Sequence, residues 1–351
     1  MRRTWWQGPA SLTGMGSLPA LCLGLAATMA PTQGHGVQDA VGQLAGIQDV
    51  RVVVIQQSGE VVARHASEGT GLDTPVNIKS ASKSILGALA GIALREGYVE
   101  TLDDPIRDYL PEYFDAVDDA RKGHITFRHL LTQSSGLRST SFANYGAWVT
   151  QSDWTRAALE QPLEATPGQR MSYSTGDTHL LAAALQEAVG QDLKRFADEH
   201  LFAPLGARAV TPRALLAFGQ LYLDGGSAGE REILPEGWVE ASLSVHFRDV
   251  GFVLDDHDYG LLWWHTRLAD TPVWFAWGHG GQYLFVLPEH DTLALVLRNP
   301  EQRDTAGNRA VYEIVENELI PALRDAAAIP PHCAKVDSPA CASLNRLPTP
   351  Q

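Results

Sequence analysis

The chain has little of what metal sites, cross-linked scaffolds and nucleic-acid surfaces are made from. Its 351 residues include three cysteines, Cys22, Cys333 and Cys341, and none stands in the clustered Cys/His spacing of a zinc site. The histidines form no metal-like cluster either, so no metal ligands are expected. Basic residues are outnumbered, 27 to 41, giving a formal charge of −14. No basic run appears, which argues against a nucleic-acid partner. The charges are interspersed, so the acidity mainly serves solubility. No internal repeat is visible. Past residue 30 no apolar stretch is long enough to span a bilayer. Lysine is the scarcest cation: Lys79, Lys83, Lys122, Lys194 and Lys335 are all there are.

What is present begins with an export-like N-terminus. "MRRTWW" supplies positive charge, "LPALCLGLAATMA" a short apolar run, and small residues near Ala30 suit cleavage. Leu21 precedes Cys22 where a lipoprotein signal has a small residue, which weakens that reading; an uncleaved anchor is the other alternative. The expectation is a signal over residues 1–30 and an exported chain, periplasmic or secreted, with no stable membrane span after cleavage. Cys333 and Cys341 would then remain in an oxidising compartment that permits them to pair. Such a bond would add about 2–3 kcal/mol and staple only the Pro-rich tail, 328–351.

Between these ends the pattern reads as one domain, 31–327. "VQDAVGQLAGI" has helical spacing at Val37, Val41 and Leu44. "RVVVIQQSGEVVARHA" reads as a hairpin turning at Ser58-Gly59. A helical block follows over 100–245. Within it Asp104 is a candidate cap ahead of Pro105, "ITFRHLLTQSSGL" reads as a helix from Thr126 to Gly136, and "VTPRALLAFGQLYLDGG" has a Thr211 cap with Gly225 past its end. "YGLLWWHTR", "VWFAWGHGG", "QYLFVLPEH" and "DTLALVLRN" are short aromatic and β-branched strands. A last helix covers Asn308 to Asp325. Strands at both ends, 48–66 and 258–299, predict one antiparallel sheet with the helical lobe inserted between them.

The chemistry centres on "NIKSASKSILGALAGIAL". From Ser84 on it is apolar enough to be buried, yet Lys83 sits at its head, three residues after Ser80. Burying an ammonium costs several kcal/mol unless it is paired or neutralised. Three residues apart on a helix places both side chains on one face. A helix N-terminus favours developing negative charge and disfavours a nearby cation. Lys83 with a lowered pKa would take the Ser80 proton and make the serine a nucleophile. The bland reading is a chance S-x-x-K on an exposed helix, but only Lys83 of the five lysines has a serine three residues before it.

"SASKSILGALAGIALREGYVETLDDPIRDYLPE" and "ITFRHLLTQSSGL" together resemble the serine β-lactamase-related superfamily. "PGQRMSYSTGDTHLLAAAL", "LFAPLGA", "FGQLYLDGG" and "WGHGGQYLFVLP" continue the pattern in order, over about Val50 to Leu323. That superfamily includes class C β-lactamases, D-alanyl-D-alanine carboxypeptidases, esterases and nylon-oligomer hydrolases, and the similarity looks closest to the last two. The resemblance implies an α+β, β-lactamase/transpeptidase-like fold with a helical inserted lobe, and no cofactor. It makes Ser80 the acylated nucleophile, Lys83 its lysine and Tyr173 the second-motif tyrosine that shares proton transfer. His279, Gly280 and Gly281 match the third motif, often K-T-G. The glycines would let an acyl group approach the strand edge, and the backbone N–H groups of Ser80 and Gln282 would form the oxyanion hole. His279 either contacts substrate or points away from the strand end; Tyr173 is otherwise a loop aromatic packing on the core.

Three departures bear on function. The second motif reads Tyr173-Ser174-Thr175 where the family often has Y-x-N, and the third has lost the K-T-G lysine and hydroxyl. Only "RAV" separates Ala207 from Thr211, where the family usually carries a longer segment bordering the site. The expected function is an exported serine hydrolase cleaving a small-molecule ester, amide or peptide through an acyl-enzyme on Ser80. A non-catalytic binder on the same fold, and a D,D-peptidase or β-lactamase, are the alternatives.

Overall fold

The computed structural model describes residues 35–115, 117–251, 257–301 and 305–328. The signal-like segment with Cys22, the Pro-rich tail and the candidate Cys333–Cys341 pair lie outside the described residues. A seven-stranded antiparallel sheet has the order β2-β1-β9-β8-β7-β6-β5. Its first two strands are β1 (Val50–Gln57) and β2 (Glu60–Ala66). The other five come from the end of the chain: β5 (Asp258–Tyr259), β6 (Trp264–Leu268), β7 (Thr271–Gly278), β8 (Gln282–Leu287) and β9 (Thr292–Arg298). Two further short strands, β3 (Ser227–Ala228) and β4 (Arg231–Glu232), form a small separate hairpin. The β1–β2 turn falls at Ser58 and Gly59, both left-handed, as a tight hairpin requires.

Helices cover both faces of the sheet, so its central strands read as continuous apolar runs rather than alternating ones. Every residue of β8 and β9 is buried. On one face Tyr283, Phe285 and Phe275 meet Tyr312, with ring centroids 5.5, 6.0 and 5.7 Å away. Tyr312 belongs to the C-terminal helix that runs from Ala306 to Ala328 through a π-helical turn at Val315–Leu319. On the other face Leu284 and Leu293 lie against Gly219 of the helix Pro212–Leu223, whose Thr211 cap accepts the Ala214 N–H at 3.2 Å. The helix Ser82–Arg95 packs beside it with eleven buried residues, from Lys83 to Ala93.

The structure differs from the sequence reading at three places. The helix at Phe127–Leu131 has the Thr126 cap but stops five residues short of Gly136. Gln133 turns left-handed there, and Ser134 donates back to His129. Asp104 does not cap a helix; its carboxylate accepts from the Glu100 and Thr101 N–H groups, and Ile106–Asp108 is a 3₁₀ turn. "YGLLWWHTR" is two strands, because the chain leaves the sheet to bond the helical lobe. Leu261 N–H donates to Ser242 and Leu262 N–H to Leu131. The short connection after Ala207 is closed by a bond from Val76 N–H to the Val210 carbonyl.

One contact seats the helical lobe on the sheet where the site forms. A β-carbon on Gly278, at the end of β7, would lie 2.0 Å from the Ile78 carbonyl oxygen, two residues before Ser80. Gly278→Ala should therefore destabilise the fold by about 1–3 kcal/mol and push the Ser80 turn off β7. Gly42→Ala, in the helix His35–Gly46 with nothing within 4 Å of the new carbon, should stabilise by about 0.5–1 kcal/mol. Thermal melting of both variants tests the pair; equal melting temperatures would contradict it.

Candidate active site

Ser80 lies in the 3₁₀ turn Lys79–Ala81, immediately ahead of the helix Ser82–Arg95. The turn is held from several directions. Lys79 sits at φ 50°, a left-handed conformation uncommon outside glycine. Its N–H donates to Asn77 Oδ1 at 3.0 Å and its ammonium pairs with Glu301 at 2.8 Å. Ser84 fixes the first helical turn from the far side, its hydroxyl donating to the Leu262 carbonyl at 2.7 Å.

Lys83 Nζ reaches Ser80 Oγ at 3.3 Å. Lys83 is only 6% exposed. Burial pulls its pKa from 10.5 down to about 8, and the Asp177 carboxylate pulls the other way. The same Nζ lies 5.3 Å from the centre of the Tyr173 ring. Burial pushes the Tyr173 phenol well above its usual value, while a hydrogen bond with the Ser80 side chain opposes the rise. Tyr173 therefore stays protonated through the neutral range. The three residues matched to the nucleophile, lysine and tyrosine of the family thus converge.

Asp177 completes the cluster. It stands in the first turn of the helix Thr175–Val189, 2% exposed. Burial raises its pKa to about 7; hydrogen bonds from Ser135 and Ser174 and the Lys83 charge oppose that rise. Tyr259 on β5 is also fully buried here and feels both Tyr173 and Asp177. Asp177 was not singled out from sequence. Its signal was a carboxylate heading the otherwise apolar helix "DTHLLAAAL", the counterpart of a lysine heading "SILGALAG".

The segment 132–141 builds the floor under Tyr173 through side chains. Gln133 Oε1 accepts the Ser174 N–H at 2.8 Å, and Ser139 Oγ donates to the Tyr173 carbonyl at 2.6 Å. Thr140 Oγ1 accepts the Gly176 N–H at 2.7 Å, and Ser141 Oγ the Thr175 N–H at 2.8 Å. The Thr175 hydroxyl is itself engaged by Ser141 at 2.9 Å.

The third motif forms the β7–β8 turn. Gly280 and Gly281 have φ of 82° and 87°, and a β-carbon on either would strike the segment Arg298–Pro300. His279 is exposed. Gln282 opens β8, paired with Gly278 on one side and Leu297 on the other, and its side-chain amide donates to the Arg298 carbonyl at 3.1 Å. The part of this hairpin packed against the Ser80 turn is Gly278. Beside Lys83 opens a cleft of about 270 Å³, walled by Leu86, Tyr145, Trp148, Trp154 and His179. None of those aromatic residues was read as functional from sequence. Among the described residues no group of three or more His, Cys, Asp or Glu is placed to hold a metal, and no helix is long and apolar enough to cross a membrane.

Residues 37–211 match the family described as Beta-lactamase. The chain belongs to the β-lactamase-related superfamily of serine hydrolases. A relative is the 6-aminohexanoate-dimer hydrolase of Paenarthrobacter ureafaciens, 24% identical over 289 residues, spanning 72% of this chain and 73% of that one. Esterase EstB of Burkholderia gladioli is 27% identical over 179 residues, 45% of each. The solved structure of EstCE1, a hydrolase with promiscuous acyltransferase activity, superposes with a TM-score of 0.65 at 18% identity, over 82% of this chain and 99% of that one. The fold is β-lactamase-like, as in the solved structure of a putative β-lactamase from Bacteroides dorei, which superposes with a TM-score of 0.65 at 19% identity over 81% of this chain and 98% of that one.

Asp177→Asn tests the electrostatics. A base must be deprotonated to act, so kcat/KM rises with pH through the Lys83 pKa of about 8. Asp177 holds that value up, and its removal should shift the rising limb to lower pH. The groups facing Lys83 are Ser80, Tyr173 and Asp177, with Tyr259 behind the last two, and only Asp177 changes charge in the variant. A pH–rate profile with an unmoved limb would show that the Asp177 charge does not reach the lysine.

Proposed function

We propose that the protein cleaves an ester or simple amide through an acyl-enzyme on Ser80. The observation that carries the reading is the buried Lys83, with a pKa lowered to about 8, in hydrogen-bond contact with Ser80 Oγ. Lys83 accepts the Ser80 proton as Oγ bonds to the substrate carbonyl carbon. The negative charge moves to the carbonyl oxygen, which in the family pattern the backbone N–H groups of Ser80 and Gln282 would hold. Tyr173, kept protonated by burial and hydrogen-bonded to the Ser80 side chain, shares the proton transfer with Lys83. The carbon–oxygen or carbon–nitrogen bond breaks, and the leaving group departs with the proton that Lys83 took from Ser80, which returns the lysine to its neutral form. Water then attacks the acyl-enzyme by the same route, releasing the acid and restoring Ser80. Export to the periplasm or medium, read from residues 1–30, is part of this proposal.

Support for ester over β-lactam cleavage comes from what the site lacks. A β-lactam brings a carboxylate and a fixed amide that must be gripped. Here Gly280 offers no hydroxyl, the Thr175 hydroxyl is tied to Ser141, and His279 replaces the lysine. Two lost bonds to charged groups, each worth roughly 1.5–3 kcal/mol, would cost about 10²–10⁴ in kcat/KM. The non-catalytic alternative rests on the short connection at 207–211. That connection closes with a backbone bond at Val76 and leaves Ser80, Lys83 and Tyr173 assembled.

Ser80→Ala should remove hydrolysis of p-nitrophenyl acetate, with a loss on the order of 10⁶ in kcat, while the melting temperature is retained. Wild-type kcat/KM for the same ester should exceed that for nitrocefin by at least about 10². Activity surviving in Ser80→Ala, or nitrocefin turned over as fast as the ester, would overturn the corresponding part of the reading.

A further inference from the structure

We propose that the aromatic cleft beside Lys83 binds an uncharged ring or similar apolar group on the leaving side of the ester. This rests on the hydrolase reading above and adds the substrate class. The wall is unusually rich in exposed aromatic surface for a soluble face: Tyr145 is 45% and Trp154 42% exposed. Trp148 and Trp154 lie with centroids 5.6 Å apart, and His179 meets both edge-on, at 5.8 and 5.7 Å. Tyr145 leans on Trp148 at 6.1 Å. Rings placed this way leave faces and edges for a further ring to join.

The indole and threonine polar groups of the wall are already occupied. Trp148 Nε1 donates to the Trp154 carbonyl at 3.1 Å, and Trp154 Nε1 to the Val149 carbonyl at 3.0 Å. Thr178 donates to the Ser174 carbonyl at 3.2 Å, and Thr175 is held by Ser141. Burial lowers the His179 pKa, so the imidazole carries little charge at neutral pH. No carboxylate lines the cleft and the Lys83 amine does, so an ammonium there would have only the ring faces to offset its desolvation. At about 270 Å³ the space lies near the lower end for small-molecule sites, enough for one ring and a short link.

Lys83 assigns the side. It lines the cleft and hydrogen-bonds to Ser80. The proton it takes from Ser80 is needed on the leaving oxygen, which must therefore come within reach of Lys83 and Tyr173. A group attached to that oxygen is the one delivered into the cleft.

The test compares kcat/KM by pH-stat for benzyl acetate, methyl acetate, methyl phenylacetate and 6-aminohexyl acetate on the full chain. Benzyl alcohol and methanol have similar acidity, so the comparison reads binding rather than leaving-group strength. Benzyl acetate should lead methyl acetate by about tenfold or more, with 6-aminohexyl acetate well behind benzyl acetate. Trp154→Ala and Tyr145→Ala should each bring the benzyl-to-methyl ratio down toward one. If either variant fails to melt cooperatively, the other carries the test. Binding of benzyl acetate to Ser80→Ala, followed by ligand-observed NMR, gives a readout without turnover. A wild-type ratio near one, a preference for methyl phenylacetate or for the amine, or a ratio unmoved by both substitutions would overturn the inference. If no ester is turned over but benzyl acetate still binds Ser80→Ala, the hydrolase reading and the leaving-side assignment fail and ring binding in the cleft stands. If esters are cleaved without ring preference, only the cleft assignment fails.

Discussion

An ammonium group removed from water must find a counter-charge or give up its proton, and Lys83 is held between those outcomes. Burial drives its pKa down to about 8, while Asp177 holds it up. Each influence moves the pH at which the lysine becomes a base. Without the carboxylate, burial would neutralise the lysine at lower pH, and its hold on a proton would weaken. With a fully ionised partner in contact, the lysine would stay charged to higher pH. Asp177 is itself raised to about 7 by burial, so the two groups titrate as a coupled pair.

That balance depends on the surrounding packing. The helix carrying Lys83 is buried over most of its length, and Gly278 lets β7 close on the turn that carries Ser80. The segment 132–141 holds the Tyr173 loop by side-chain bonds to backbone N–H groups rather than by regular secondary structure. Buried polar networks of this kind are rigid when every member is satisfied. This one fixes two catalytic-site elements at once, since Ser174 caps the helix that bears Asp177 and directly follows Tyr173.

Much of the framework was legible in sequence. The hairpin at Ser58-Gly59, the Thr211 cap and the late strands were written in turn residues, caps and β-branched runs, all of them local signals. What failed was local too, but overridden. "TQSSGL" continues a helical pattern on paper, yet Gln133 turns out of the helix because its side chain is needed at Ser174. "YGLLWWHTR" has the composition of one strand and breaks because two of its N–H groups bond the helical lobe. A propensity cannot register a partner that is distant in the chain.

The same division runs through the site. The three-residue spacing of Ser80 and Lys83 was enough to predict their contact, since helical geometry sets the distance between such neighbours whatever surrounds them. Tyr173 and the 279–281 turn could be named only through resemblance to a family. The approach of Tyr173 to Ser80, and of Gly278 at the hairpin end to the Ser80 turn, depends on how a loop, a helix start and a hairpin end meet. The sequence already points to a buried Lys83 with a lowered pKa; the carboxylate that holds that value up, and the apolar character of the neighbouring cleft, were decided by tertiary structure. Both are properties of an enclosed volume: how much water is excluded, and which distant groups, Asp177 in one case and Trp148, Trp154 and His179 in the other, fill the space in its place.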